Sequence, residues 1–295
     1  MVQVASAELD LQHARSVAVS AAQEAGALLR SRIRGPLNIS PKGTSGDVVT
    51  SLDLAAEALI VGRLAAEFPD HRIVAEESGA HDRDSAWTWL VDPLDGTNNV
   101  AIGLPVYVVG IALCLNRRPV LGVIFDANTG ETWSAVRGGG TRAPRPPCGP
   151  VRARRRRTPH GPVLGWTQGH AVGRSDSAAW ALKLTLEQHA QRLLQLWAPL
   201  LCWVMLARGD IDGFVGYRPG AIDLPAGSLI AAEAGFSVVT LAGDPFDESV
   251  SDPAHRSFVA GHPGRIPELL RLVRAAEATQ DGLRRLLGHR PALVQ

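Results

Sequence analysis

The apolar run Trp89-Leu90-Val91 breaks off into Asp92-Pro93-Leu94-Asp95-Gly96-Thr97. No other stretch of the chain restricts the fold as strongly. The run reads as a buried strand, and α/β folds place their sites at the C-terminal ends of such strands. Pro93 has no N–H for a ladder and Gly96 tolerates unusual backbone angles, so the strand is expected to end there. Two carboxylates three positions apart on a rigid turn repel one another unless a cation stands between them. An oxygen-rich site of this kind suits Mg²⁺, Mn²⁺ or Ca²⁺.

The rest of the chain has to supply a scaffold for that turn. With 45% apolar and 20% charged residues in 295, there is material for a sizeable core. A formal net charge of +1 creates no global field favouring nucleic acid or an anionic membrane. Cys114, Cys148 and Cys202 are far apart, a count and spacing that fit a reducing cytoplasm better than a disulfide framework. The N-terminal segment carries Glu8 and Asp10 and does not read as a signal peptide. The longest apolar stretch, 106–115, is too short to span a bilayer. A cytoplasmic protein is the expectation. Lys42 and Lys183 are the only lysines among many arginines.

Hydrophobic periodicity predicts helices over 9–33 and 50–68, the second capped by Thr50 or Ser51. Strands follow at 72–75 and 87–91, then a meander at 106–115, 119–126 and 131–137. The second half alternates: strand 163–167, helix 177–189, strand 192–196, helix 198–207, strand 213–217, helix 224–234, strands 237–240 and 257–261. That order favours an α/β layered fold, with an amphipathic helical tail after Pro267. Proline and the run Arg152-Ala153-Arg154-Arg155-Arg156-Arg157 set 141–162 apart. It reads as an irregular connection between an N-terminal half, 1–140, and a C-terminal half, 163–295.

Four acidic clusters fall at predicted element ends: Asp47, Glu76-Glu77, Asp92 with Asp95, and Asp223. Any one alone is ordinarily a helix cap or a solvated charge, and Asp47 and Asp223 both stand where a cap would. Together they converge on one point only if something cationic satisfies them. No GxSxG elbow or Walker A lysine is present, so no protein nucleophile is evident from these motifs. The nine histidines lack HxxxH or HExxH spacing, which argues against zinc.

Asp92-Pro93-Leu94-Asp95-Gly96-Thr97, with Ala75-Glu76-Glu77-Ser78 before it, resembles the inositol monophosphatase family. So do Asp47-Val48-Val49-Thr50-Ser51-Leu52-Asp53 and Ile222-Asp223-Leu224-Pro225-Ala226-Gly227, the latter followed by Glu233-Ala234-Gly235. The resemblance implies an αβαβα sandwich and a phosphatase using two or three Mg²⁺ ions, with Mn²⁺ as a substitute and Li⁺ as an inhibitor. Glu76, Asp92, the Leu94 carbonyl and Asp95 match metal ligands, and Asp223 matches a ligand of a second site. Thr97 and Asp47 match the pair that positions and deprotonates the attacking water, with Glu76 beside them. The Gly96 and Thr97 amides would face the phosphate, with Asp95 and Asp223 also against the substrate, and Glu77 matches an acid behind the metal ligands. A homodimer is implied as well.

The substrate half departs from the family pattern. Gly216 stands where inositol-specific relatives carry a glutamate, and Trp197-Ala198-Pro199-Leu200 replaces a Gly-Ser-Ala-Ala-type pocket segment. Tyr217, Arg218, Gln168 and His170 are the candidate substrate contacts. The expected reaction is in-line hydrolysis of a small phosphorylated polyol, sugar or cyclitol; histidinol phosphate and 3′-phosphoadenosine phosphates are the alternative substrates. From other classes come a catalytically silent scaffold, against which the retained ligand positions argue, and a nucleic-acid module built on the arginine run, against which the neutral charge argues.

Overall fold

The structure, a computed structural model, describes residues 9–43, 46–144, 161–249 and 256–288. The arginine run, Cys148 and most of the expected 141–162 connection lie outside the described residues. Helix α1 (Leu11–Arg32) is capped by Asp10, whose carboxylate accepts from the Gln12 and His13 amides. Its buried stripe is almost all alanine, Ala14, Ala18, Ala21, Ala22 and Ala25, so the helix lies close on the sheet beneath. At Gly26 even a methyl group would come within 2.2 Å of the Phe125 ring.

A hairpin of β1 (Ile39–Lys42) and β2 (Asp47–Thr50) leads into α2 (Ser51–Glu67). Thr50 caps α2 and Asp53 reaches back to the Thr50 N–H, a reciprocal capping box. Asp47, a candidate cap from sequence, instead lies in the hairpin strand. The hairpin itself was not expected. Its strands are four residues each; β1 carries Pro41, is mostly exposed and is followed by Gly43, so the segment has the look of a loop.

The first sheet contains β3 (Arg72–Ala75), β4 (Gly79–His81), β5 (Trp87–Asp95), β6 (Val108–Leu115), β7 (Arg118–Asp126), β8 (Glu131–Val136) and β9 (Thr141–Arg142), ordered β4-β3-β5-β6-β7-β8-β9. A short helix α3 (Thr97–Ala101) follows β5. The second sheet is ordered β11-β10-β12-β14-β13. It uses β10 (Val163–Gln168), β11 (Arg192–Leu194), β12 (Gly213–Tyr217), β13 (Ser237–Val239) and β14 (Phe258–Gly261), with α4 (Ser177–His189), α5 (Pro199–Arg208), α6 (Pro225–Glu233) and α7 (Ile266–Gly288) among and after them.

Three apolar clusters bind five layers. Helices α1 and α2 cover the outer face of the first sheet around Leu29, Ile60 and Trp89. Helices α5 and α6 fill the space between the sheets, where Val108, Ile124 and Trp133 meet Trp203, Phe214 and Phe258. Helices α4 and α7 cover the far face around Leu164, Trp166 and Leu269. This is the αβαβα sandwich the sequence led us to expect. The middle cluster draws on both sheets, so the halves share a core. No helix among the described residues is long and apolar enough to cross a membrane.

One expectation is overturned at the turn itself. Strand β5 does not stop at Pro93 but runs on to Asp95. Against β6, Asp92 faces Gly110 and Asp95 faces Val108, so two residues of β5 oppose the single Val109. That is a β-bulge, where a proline is tolerated because a ladder bond is already lost. The bulge also has a consequence for the carboxylates. In a regular strand residues three apart point to opposite faces; one extra residue brings both to the same side.

Candidate metal-binding active site

Strands β3 and β5 run parallel with Ala75 beside Val91, and the Glu76 N–H donates to the Val91 carbonyl at 3.1 Å. Glu76 and Asp92 therefore emerge side by side. The β5 bulge adds Asp95, and the loop before α6 adds Asp223. All four carboxylates line one open cleft of about 530 Å³, together with Asp47, Leu94, Gly96 and Thr97. Asp223 does not cap α6, whose N-terminus has no side-chain cap.

Each acid is held locally. Asp92 accepts from the Leu94 N–H at 3.0 Å, and Asp95 accepts from the Leu200 N–H at 2.6 Å, at the start of α5. Gly96 takes φ +112°, with the Val106 carbonyl only 2.5 Å from where a Cβ would stand, so no other residue fits this corner. The charges, however, are poorly compensated. Burial, then repulsion from Glu76, Asp95 and Asp223, pushes Asp92 well above the usual carboxylate range. Burial and the Asp223 charge do the same to Asp95, against the pull of the Leu200 amide. Asp223 is pushed up to about 7 by burial and then by Glu76.

Among the described residues, the ammonium at these acids is that of Lys42 in the hairpin. Its Nζ lies 2.8 Å from both Glu76 Oε1 and Glu77 Oε1. Burial works against its charge, and the bonds to Glu76 and Glu77 outweigh that, holding the ammonium above its usual range. Glu57 braces the same corner from α2, accepting from the Glu77 and Ser78 amides at 2.7 and 2.8 Å.

The donor set is all oxygen, hard and anionic, and it is short of positive charge. Hard divalent cations fit it. No three described His, Cys, Asp or Glu side chains close on a single point. Mg²⁺ does not require that, because it is commonly held by one or two carboxylates, with water and phosphate oxygens completing the shell. The Leu94 carbonyl oxygen lies 2.9 Å from the Thr97 hydroxyl oxygen and has a lone pair for a cation.

In the structure the hydrogen-bond partner of Thr97 is Asp53. The Thr97 hydroxyl lies 2.7 Å from Asp53 Oδ1, and Asp53 Oδ2 accepts from both the N–H and the hydroxyl of Thr50. Asp53 is 1% exposed and reaches the cleft only through Thr97. Burial raises its pKa although all of these hydrogen bonds lower it. Asp47 accepts instead from the Val48 N–H at 2.9 Å and the Asn98 amide at 3.2 Å, with His170 Nε2 at 3.8 Å. Sequence reasoning missed Asp53 because it reads as a helix residue. The Thr50-x-x-Asp53 capping signature was the available signal.

The substrate candidates divide. Gln168 and His170, at the end of β10, line the cleft. Tyr217 and Arg218 do not. The Tyr217 hydroxyl stands 3.4 Å from both Asp176 oxygens, and Arg218 lies over the Tyr217 ring with its guanidinium 3.8 Å from Asp176. Asp176 caps α4, so these two side chains serve that helix end. Arg174, Gln195 and Trp197 line the cleft in their place.

The sequence pattern of the inositol monophosphatase family matches residues 10–278. A protein named Nus factor SuhB from Pasteurella multocida is 32% identical over 258 residues, 86% of this chain and 93% of its own length. Inositol monophosphatase 1 from Solanum lycopersicum is 30% identical over 242 residues, 80% of this chain and 88% of its own. The solved structure of an inositol monophosphatase from Anabaena superposes with a TM-score of 0.74 at 26% identity, covering 90% of this chain and 97% of that one. With the sandwich, the carboxylate-lined cleft and these matches in agreement, the chain belongs to the inositol monophosphatase family and is a metal-dependent phosphoric monoester hydrolase.

Proposed function

We propose that the protein is a Mg²⁺-dependent phosphomonoesterase acting on a small phosphorylated polyol, sugar or cyclitol by direct in-line attack of water. The observation that carries this reading is the β5 bulge, which turns Asp92 and Asp95 into the same cleft beside Glu76 and Asp223. Bound there, Mg²⁺ would activate the water and neutralise charge on the phosphate and the leaving oxygen. Glu76, Asp92, Asp95, Asp223 and the Leu94 carbonyl would hold it; Mn²⁺ suits the same donors, and Li⁺ inhibition is expected. The chain's own part is proton handling and positioning. Thr97 lies in the cleft wall and accepts a hydrogen bond from the attacking water while its own proton points to Asp53. As the water attacks, Thr97 takes its proton and passes its own to Asp53. The Gly96 and Thr97 amides, at the start of α3, have no side-chain cap and would face the phosphate. Phosphoryl transfer asks mainly for such positioning and electrostatics.

The test is phosphate release from a panel of monoesters with and without Mg²⁺. Asp95→Asn is expected to abolish the Mg²⁺-dependent part, and retention of most of the turnover would remove the site assignment. The name carried by the Pasteurella relative supports a second reading, a Nus-factor role. The same Asp95→Asn variant separates the two, since such a role would survive loss of hydrolysis. A homodimer is the proposed assembly, checked by light scattering.

A further inference from the structure

The segment between Leu196 and Leu200 is tied to the carboxylate turn at both ends. Asn99, 2% exposed, donates its amide to the Leu196 carbonyl at 2.6 Å and to the Val106 carbonyl at 2.8 Å. At the other end Asp95 accepts the Leu200 N–H. Between these anchors stands Trp197 with φ +53°. That left-handed backbone is costly for a bulky residue, and glycine would adopt it freely. Such strain persists only where the surroundings over-determine it, and it concentrates at functional sites. Nor is the side chain buried in compensation. Trp197 is 53% exposed and lines the cleft, as do Gln168, His170 and Arg174. Among the described residues no carboxylate pairs with Arg174. An exposed indole in a strained, doubly anchored turn beside the reacting carboxylates lacks a structural reason to be a tryptophan.

We propose that Trp197 is a specificity-determining residue, an indole shelf for the face of a ring in the leaving group. The enzyme on this view prefers ring-bearing phosphate monoesters to acyclic ones, with Gln168, His170 and Arg174 available to the ring's polar substituents. The inference rests on the phosphatase reading and goes further by assigning the residue that selects ring-bearing esters among those substrates. A ring face of this kind is offered by the C–H surface of a cyclitol or sugar and by the π face of a nucleobase.

The experiment compares kcat/KM for myo-inositol 1-phosphate, adenosine 3′-monophosphate and glycerol 2-phosphate in wild type, Trp197→Ala, Trp197→Phe and Trp197→Gly. Wild type is expected to favour a ring ester. Trp197→Ala should lose about tenfold on that ester and less than about twofold on glycerol 2-phosphate. Trp197→Phe should recover most of the loss. The ring ester that suffers more identifies the source, cyclitol or base. Trp197→Gly relieves the backbone and should melt no lower than wild type while losing the ring preference, which separates specificity from folding. Equal losses on ring and acyclic esters overturn the proposal, as does a wild type with no ring preference. Calorimetric binding of the same esters, with Ca²⁺ replacing Mg²⁺ to suppress turnover, gives an independent readout. Selective ring binding that vanishes in Trp197→Ala, without any phosphate release, would sustain this inference and sink the phosphatase reading. Phosphate release with an unchanged substrate ratio in Trp197→Ala would do the reverse, and neither binding nor release would overturn both.

Discussion

Replacing Asp53 with asparagine separates the proposed proton path through Thr97 and Asp53 from the one expected at Asp47. Asp53 accepts from the Thr50 N–H, the Thr50 hydroxyl and the Thr97 hydroxyl. In Asp53→Asn the carbonyl oxygen can keep the Thr50 bonds that cap α2, which puts the amide NH₂ against Thr97. The Thr97 hydroxyl then accepts from that amide and sends its own proton to the Leu94 carbonyl, already 2.9 Å away. The loss in stability is therefore about one net hydrogen bond, roughly 1 kcal/mol. In a chain of this size that corresponds to a melting temperature lower by about 1.5–2 °C. Catalysis suffers much more, because an amide cannot take the proton that Thr97 passes on. Loss of a general base typically lowers kcat by about 10²–10⁴-fold. Asp47→Asn keeps an oxygen for Val48 and Asn98, so its kcat should fall by less than about tenfold. The assay is Mg²⁺-dependent phosphate release under saturating substrate, with thermal melting of each variant. Because Thr97 and Asp53 act as one unit, Asp53→Asn with Thr97→Val should be no slower than the worse single variant. A hundredfold loss in Asp47→Asn with near-normal Asp53→Asn would refute the reasoning, as would additive losses in the double variant.

Gly216→Ala would place a Cβ 2.2 Å from the Phe258 ring, which is itself packed on Trp203 and Phe214. Overpacking of this kind should destabilise by about 1–3 kcal/mol, and adding Phe258→Leu should recover part of it, read as a coupling energy in denaturant melts; strictly additive losses would show that the ring is free to move. His71 stacks against Phe68 and Trp87 and accepts from the Trp89 indole N–H, and burial lowers its pKa despite Asp70. The folded state thus favours neutral His71, so its contribution is complete above the unfolded value near 6.5 and is lost as pH falls from there through the lower folded value. Melting temperature should therefore drop less between about pH 7.5 and 5.5 in His71→Gln than in wild type, and identical slopes would count against this. Lys42→Met removes the ammonium between Glu76 and Glu77. It should lower the metal-free melting point and enlarge the rise on adding Mg²⁺; an unchanged rise would mean that Lys42 does not compensate these acids.

Much of the scaffold was readable from residue order. The alanine stripe of α1, the alternation of the second half and the acids at element ends depend on local periodicity and capping, which a sequence displays directly. The acids' shared cleft was legible only as a question, why four acids should stand at element ends without a counter-charge. Sequence did not reveal that β5 carries a bulge, because the residue opposing Pro93 and Leu94 belongs to another strand. Nor could it choose between Asp47 and Asp53. The bond from Thr97 joins residues 44 positions apart, and both acids precede or open the same helix. Tyr217 and Arg218 looked available for substrate until α4 presented its capping Asp176 to them.

The sequence by itself therefore displayed the ingredients of the chemistry: hard oxygen donors in number and a threonine on a glycine corner. Tertiary structure alone decided which donors face one another, which acid stands against Thr97 and which ring stands at the cleft. Those outcomes depend on register, strand pairing and long-range hydrogen bonds, interactions that exist only once distant segments have been brought together.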